Sequence, residues 1–144
     1  MVAFYSIKLL LNLKDSALIG KFWDAFEEDV SKARNSYELN TTLEYVLPTD
    51  LKFLCVLDST SGKKEVPATN GFYDELKFYQ TNFENIFLYP PSGLDKSAGR
   101  NIEFLNVPKI TSSQNPYCIQ IKKGKLKLKM SKPSGEGLVI ISRA

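Results

Sequence analysis

The chain has 144 residues, of which 43% are hydrophobic, 24% charged and 12% aromatic, and its net charge is +3. This composition excludes intrinsic disorder, a collagen repeat and a coiled-coil rod. The length suits one globular domain, residues 1–144. The chain contains no histidine, which excludes Ser-His-Asp and Cys-His catalysis and any histidine-bound metal site.

The sequence shows no recognisable targeting segment, and we expect an intracellular protein, cytoplasmic or nuclear. The apolar run 2–13 has neither a basic start nor a small-residue cleavage site. No stretch reaches the roughly 20 apolar residues that a membrane span needs. Cys55 and Cys118 lie among apolar neighbours, and we predict two buried free thiols. A disulfide between two neighbouring strands is the alternative.

The first elements in chain order are predicted to be a strand and a long helix. The mostly apolar run 2–13 predicts a strand. Asp15 or Ser16 can then cap the first turn of a helix. Apolar residues recur at every third or fourth position after this point, which predicts an amphipathic helix over about residues 16–34.

The rest of the chain alternates between short apolar runs and turn-forming clusters of Pro, Gly, Asn and Ser. Segment 72–80 fits a short helix or a strand equally well. Strands are predicted at 37–47, 51–57, 85–89, 102–107, 117–122, 125–130 and 138–142. The fold class that follows is α+β: a single domain with a mostly antiparallel sheet of roughly seven to nine short strands and one long helix packed on it.

Positive charge is concentrated at the end of the chain. Residues 117–144 carry seven basic residues and one acidic residue, whereas the preceding residues have a net charge of −3. Lysines alternate strictly with apolar residues over 125–130, which predicts a strand with a lysine row on one face. The row is either a docking site for an acidic partner or a solubilising feature of an exposed strand. The candidate binding residues are Lys122, Lys123, Lys125, Lys127, Lys129 and Lys132.

The polar side of the predicted helix carries an acidic patch that includes Asp24, Glu27 and Glu28. A solvated helix face is the ordinary interpretation of such a patch. The alternative is that it pairs with the lysines of another copy and builds a homo-oligomer. Trp23 lies beside the centre of the apolar stripe, and two interpretations follow. It is either half-exposed and serves with these acids as an interface anchor, or it packs at the edge of the helix, which is the more frequent outcome.

No group of residues in the sequence forms a recognisable catalytic, metal-binding or phosphate-binding motif. We therefore expect no enzyme activity, no catalytic residues, no metal and no cofactor. The predicted function is a protein–protein interaction or assembly module, the terminal domain or a subunit of a larger intracellular complex. The alternative is binding of a polyanion, either nucleic acid or anionic lipid, through the basic segment Lys122–Lys132.

Overall fold

A computed structural model describes residues 2–80, 83–90 and 99–144, with side chains from residue 17 onward. The described part contains three helices and seven strands in one α+β domain. The helices are α1 (Val2–Asn35), α2 (Phe72–Tyr79) and α3 (Val107–Ile110). The strands are β1 (Leu39–Val46), β2 (Phe53–Val56), β3 (Ile86–Tyr89), β4 (Gly99–Arg100), β5 (Tyr117–Lys122), β6 (Lys125–Lys132) and β7 (Ile140–Arg143).

The strands form one sheet in the order β1-β6-β5-β2-β3-β4. Strand β7 pairs with the later half of β6, beyond the part of β6 that pairs with β5. Every pairing between these strands is antiparallel. The predicted fold class, an antiparallel sheet with one long helix, is confirmed.

Helix α1 packs on one face of the sheet and buries its apolar stripe there. Phe22, Trp23 and Phe26 share a core with Leu126 and Leu128 of β6. The rings of Phe22 and Phe26 stack with centroids 5.6 Å apart. The three-four spacing of these residues places them on one side of the helix, so burial of this side holds α1 against the sheet.

Two of the predicted elements are wrong. Segment 2–13 belongs to α1, so the helix begins at Val2 and residues 15 and 16 lie inside it rather than at its cap. A short apolar run fits a strand or a helix, and this one contains no Gly or Pro to separate it from the helix that follows. Segment 102–107 forms only an isolated bridge at Leu105 and then enters α3. Among the described residues, no helix is long and apolar enough to cross a membrane.

Within the described residues, the opposite face of the sheet is covered over β2, β3 and the start of β5. There Tyr73 and Leu76 of α2 pack on Phe87 and on the pair Cys55 and Cys118. A short 3-10 turn, 67–69, precedes this helix. Segment 72–80, whose sequence fits a helix or a strand equally well, therefore forms the helix α2. The buried side of this helix belongs to the second, smaller core of the domain.

Cys55 and Cys118 form a disulfide, so the prediction of two free thiols is wrong. The antiparallel register of β2 and β5 places the two residues directly opposite each other, with their Cα atoms 4.0 Å apart. They are 0% and 2% exposed. Burial was predicted correctly, but the pairing depends on which strands become neighbours, and local sequence does not specify that.

Candidate binding face

One half of the sheet has a face that no layer of the described chain covers. In β6, Leu126, Leu128 and Met130 point toward α1 and are fully buried. The residues that alternate with them, Lys125, Lys127 and Lys129, are exposed on the opposite side. Lys122 joins them from β5, because it lies directly opposite Lys125. We call this surface, defined by Lys122, Lys125, Lys127 and Lys129, the lysine face.

The hairpin between β5 and β6 fixes the position of the first two lysines. Its loop is Lys123-Gly124, with φ angles of 51° and 78°, and a two-residue turn of type I′ requires positive φ at both positions. A Cβ at Gly124 would meet the backbone oxygen of Leu47 at 2.7 Å, so no larger residue fits without movement. The turn places Lys122 and Lys125 side by side, and like charges opposite each other destabilise a sheet.

The lysines of this surface lack internal counter-charges. Within the described residues, neither Lys123 nor any lysine of the lysine face forms an ion pair. The cross-strand neighbour of Lys127 is Glu44, which lies on β1 and does not form an ion pair with it. The neighbours of Lys129 are Thr42 and Ser142, which are neutral. Glu44 is the one described acid beside these four lysines, so the surface keeps a net positive charge that is only partly compensated.

A pocket of about 620 Å³ lies where the covered half of the sheet meets the lysine face. Apolar side chains line its covered side. They belong to Phe53 of β2, to Val66 just before the 3-10 turn and to Ala68 within that turn. Lys122, Lys125 and Lys127 line the other side together with one acid, Glu44 of β1, and β5 contributes Cys118, Ile119 and Gln120. The pocket thus combines an apolar wall with a cationic rim, which was not foreseen from the sequence.

Arg143 also lines the pocket, but its guanidinium group is already engaged. It donates to the backbone oxygen of Cys118 through Nε at 3.2 Å and Nη2 at 2.9 Å, and to Gln114 Oε1 at 2.7 Å. It also lies 4.6 Å from the centroid of the Tyr117 ring. Arg143 therefore holds the end of β7 against β5, and the lysines remain the groups that are available to an incoming anion.

Lys132 is placed apart from the other candidate lysines. It is 4% exposed, and its ammonium group donates to the backbone oxygens of Tyr37 at 3.0 Å and Glu136 at 2.9 Å. It follows Met130 by two positions and therefore points to the same side of β6 as the core residues. Lys132 ties two loops to the sheet and does not contribute to the lysine face.

Trp23 and the nearby acids of α1 do not form the exposed interface anchor that the sequence suggested. Trp23 is 0% exposed, so it is a core residue and the half-exposed interface anchor is wrong. Glu27 pairs with Arg100 at 3.6 Å, and Glu28 pairs with Lys32 at 3.1 Å. Asp24 is exposed on the same helix. These acids lie on the α1 side of the sheet, away from the lysine face, and two of the three already have a cationic partner.

Two tyrosines carry hydrogen bonds that connect the helices to the sheet. Tyr45 of β1 donates to Asp29 Oδ2 of α1 at 2.7 Å. Burial, followed by the carboxylate of Asp29, raises the pKa of Tyr45 far above its ordinary value, so the hydroxyl remains a donor. Tyr89 donates to Glu75 of α2 at 2.8 Å. Its pKa is also raised, first by desolvation and then by Glu75.

Across the described chain, no three His, Cys, Asp or Glu residues are grouped so that they could hold a metal ion. Comparison of the chain with protein-family models, curated proteins and solved structures found no match. The function proposed below therefore depends on the geometry of the lysine face and the pocket beside it.

Proposed function

We propose that this domain is a non-enzymatic interaction module that binds an acidic segment of another protein on the lysine face. The observation that carries the proposal is the uncovered half-sheet, whose lysines have no ion-pair partner among the described residues. An acidic segment would supply the missing counter-charges. It would also relieve the repulsion between Lys122 and Lys125, which are direct cross-strand neighbours.

The energetics favour a reversible complex in which charge sets selectivity and the speed of association. An exposed ion pair contributes about 0.2–1 kcal/mol, so four such pairs alone give weak binding. Complementary potentials nevertheless accelerate encounter and disfavour partners of the wrong charge. This behaviour suits a subunit or terminal domain that assembles reversibly into a larger complex.

An acidic protein explains the surface better than a nucleic acid does. The residues between the lysines of β6 point into the core, so no aromatic ring is interleaved with the lysine row to stack on bases. The nearby arginine, Arg143, already donates to Cys118 and Gln114. A second copy is a weaker candidate than another protein, because Glu27 and Glu28 of its α1 already form ion pairs.

The compartment is a further part of the proposal. The sequence led us to expect an intracellular location, cytoplasmic or nuclear. The buried disulfide Cys55–Cys118 supports an oxidising compartment instead, because the cytosol keeps most thiols reduced. Electrophoresis of alkylated protein from its native source, with and without reductant, would decide between the two.

The test compares two triple variants that have the same net charge. The first replaces lysines of the lysine face: Lys125→Ser, Lys127→Ser and Lys129→Ser. The control replaces exposed lysines of the three helices: Lys21→Ser, Lys77→Ser and Lys109→Ser. Binding to fluorescent polyglutamate, RNA, heparin and vesicles containing phosphatidylserine is measured at two salt concentrations.

We expect polyglutamate binding to be salt-dependent, to be lost in the first variant and to persist in the control. Equal loss in both variants would show a diffuse charge effect and contradict a defined site. Tighter binding of RNA, heparin or vesicles than of polyglutamate at the higher salt concentration would favour the polyanion alternative. No binding to any probe by the wild-type protein would refute both functions.

A further inference from the structure

The pocket beside the lysine face restricts what kind of acidic segment can bind. Its cationic side carries Lys122, Lys125 and Lys127 beside one acid, Glu44, whereas its opposite wall is built from Phe53, Val66 and Ala68. A purely acidic segment would leave this apolar wall in contact with water or with carboxylates. Carboxylates gain nothing from apolar contact, but an apolar side chain does.

The apolar wall is held in place by the packing behind it. The Phe53 ring lies edge-on to Phe72 of α2, with centroids 5.5 Å apart. Phe72 stacks in turn on Tyr89 at 3.9 Å, and the Tyr89 hydroxyl is fixed by Glu75. A preformed wall costs little conformational entropy when a ligand binds to it. The pocket is therefore suited to receive a side chain without rearrangement.

We propose that the partner segment carries one large apolar side chain flanked by carboxylates, and that this side chain inserts into the pocket between the 3-10 turn and the lysine face. This inference rests on the proposed function and names the partner's chemistry. The carboxylates contact Lys125 and Lys127 while the apolar group contacts Phe53 and Ala68. The pocket volume of about 620 Å³ lies within the roughly 300–1,000 Å³ of typical ligand sites.

The apolar contact has a measurable consequence for affinity. Full burial of a large apolar side chain is expected to tighten binding by about ten- to a hundredfold. This gain does not depend on salt, whereas the contribution of the lysines does. The two contributions can therefore be measured separately on the same complex.

The experiment uses two synthetic glutamate-rich peptides of equal length and charge, one with a central phenylalanine and one with a central serine. Their affinities are measured for the wild-type protein, for Ala68→Phe, which fills the pocket from an exposed position, and for the control Ala17→Phe on α1. We expect the phenylalanine peptide to bind at least tenfold more tightly to wild type and to the control. Ala68→Phe should remove that advantage and leave the serine peptide's affinity unchanged.

Equal, salt-sensitive affinities of the two peptides for the wild-type protein would overturn this inference and leave the proposed function standing. Failure of both peptides to bind would refute the proposed function as well. The comparison on the wild-type protein remains decisive even if Ala68→Phe does not fold. Vesicles containing phosphatidylserine that displace the phenylalanine peptide, but not the serine peptide, would identify an acyl chain as the occupant and overturn the assignment to a peptide.

Discussion

Removal of the Cys55–Cys118 disulfide by the double substitution Cys55→Ala and Cys118→Ala should lower the free energy of unfolding substantially. The two residues are separated by 63 positions in the sequence. In the chain-entropy model, a cross-link that closes a loop of this length stabilises the fold by about 4 kcal/mol at 25 °C. The alanines also leave unfilled space beside Leu76 and Phe87, which adds to the loss.

The assay is urea unfolding followed by the fluorescence of Trp23, the single tryptophan in the chain, which is fully buried. With a urea dependence of about 2 kcal/mol per molar, the midpoint should fall by about 2 M. Reduced wild-type protein separates the two contributions, because it loses the cross-link and retains both sulfur atoms. Identical midpoints for oxidised and reduced wild type would refute the reasoning, as would two alkylatable thiols in protein purified under oxidising conditions.

Three further substitutions test the roles of individual side chains by the same urea assay or by thermal unfolding. Trp23→Ala, followed by circular dichroism, should destabilise by about 3–5 kcal/mol, whereas a half-exposed tryptophan would cost far less. Lys132→Met should destabilise by about 1–3 kcal/mol, because it leaves two backbone oxygens without a donor, yet polyglutamate binding should not change. A loss of binding without a loss of stability would instead place Lys132 on the binding surface. Tyr45→Phe should cost about 1.5–3 kcal/mol by removing the hydrogen bond to the Asp29 carboxylate, and an unchanged midpoint would argue against that bond.

The lysine face could be predicted because it depends on local periodicity alone. Strict alternation over 125–130 places Leu126 and Leu128 inside and the lysines outside in any sheet that has one buried face. The same alternation, extended by two residues, also places Lys132 on the inner side. The burial of Lys132 could therefore have been predicted from the alternation. Its two backbone partners could not, because they lie in loops whose positions do not follow from any local pattern.

The helix shows how a shift of one residue changes an interpretation. A stripe centred on Phe22 and Phe26 leaves Trp23 at its edge, where both partial exposure and packing at the helix edge fit the sequence. In the structure, Ile19 is buried and Leu18 is only partly buried, so the buried stripe runs through 19, 22, 23, 26, 30 and 33, with Trp23 inside it. Both stripes satisfy the three-four spacing, and only packing against the sheet distinguishes them.

The disulfide and the pocket could not be predicted, because both arise from contacts between distant parts of the chain. Cys55 and Cys118 become neighbours only when β2 pairs with β5 in one particular register. The pocket needs the 3-10 turn, which contains Ala68, to approach the lysines of β6, more than fifty positions later. Periodicity determines which side of a strand a residue occupies, but it does not determine which strand lies next to it.

The most direct test of the proposed function is a titration of ¹⁵N-labelled protein with the phenylalanine-containing acidic peptide, followed residue by residue by NMR. Amide shifts should concentrate on 118–129 and on 66–69, the segments that contribute the lysine face and most of the apolar wall. Amides of α1 around Asp24 and Glu28 should not move. Shifts centred on α1, or spread evenly over all exposed lysines, would contradict a binding site on the uncovered half of the sheet.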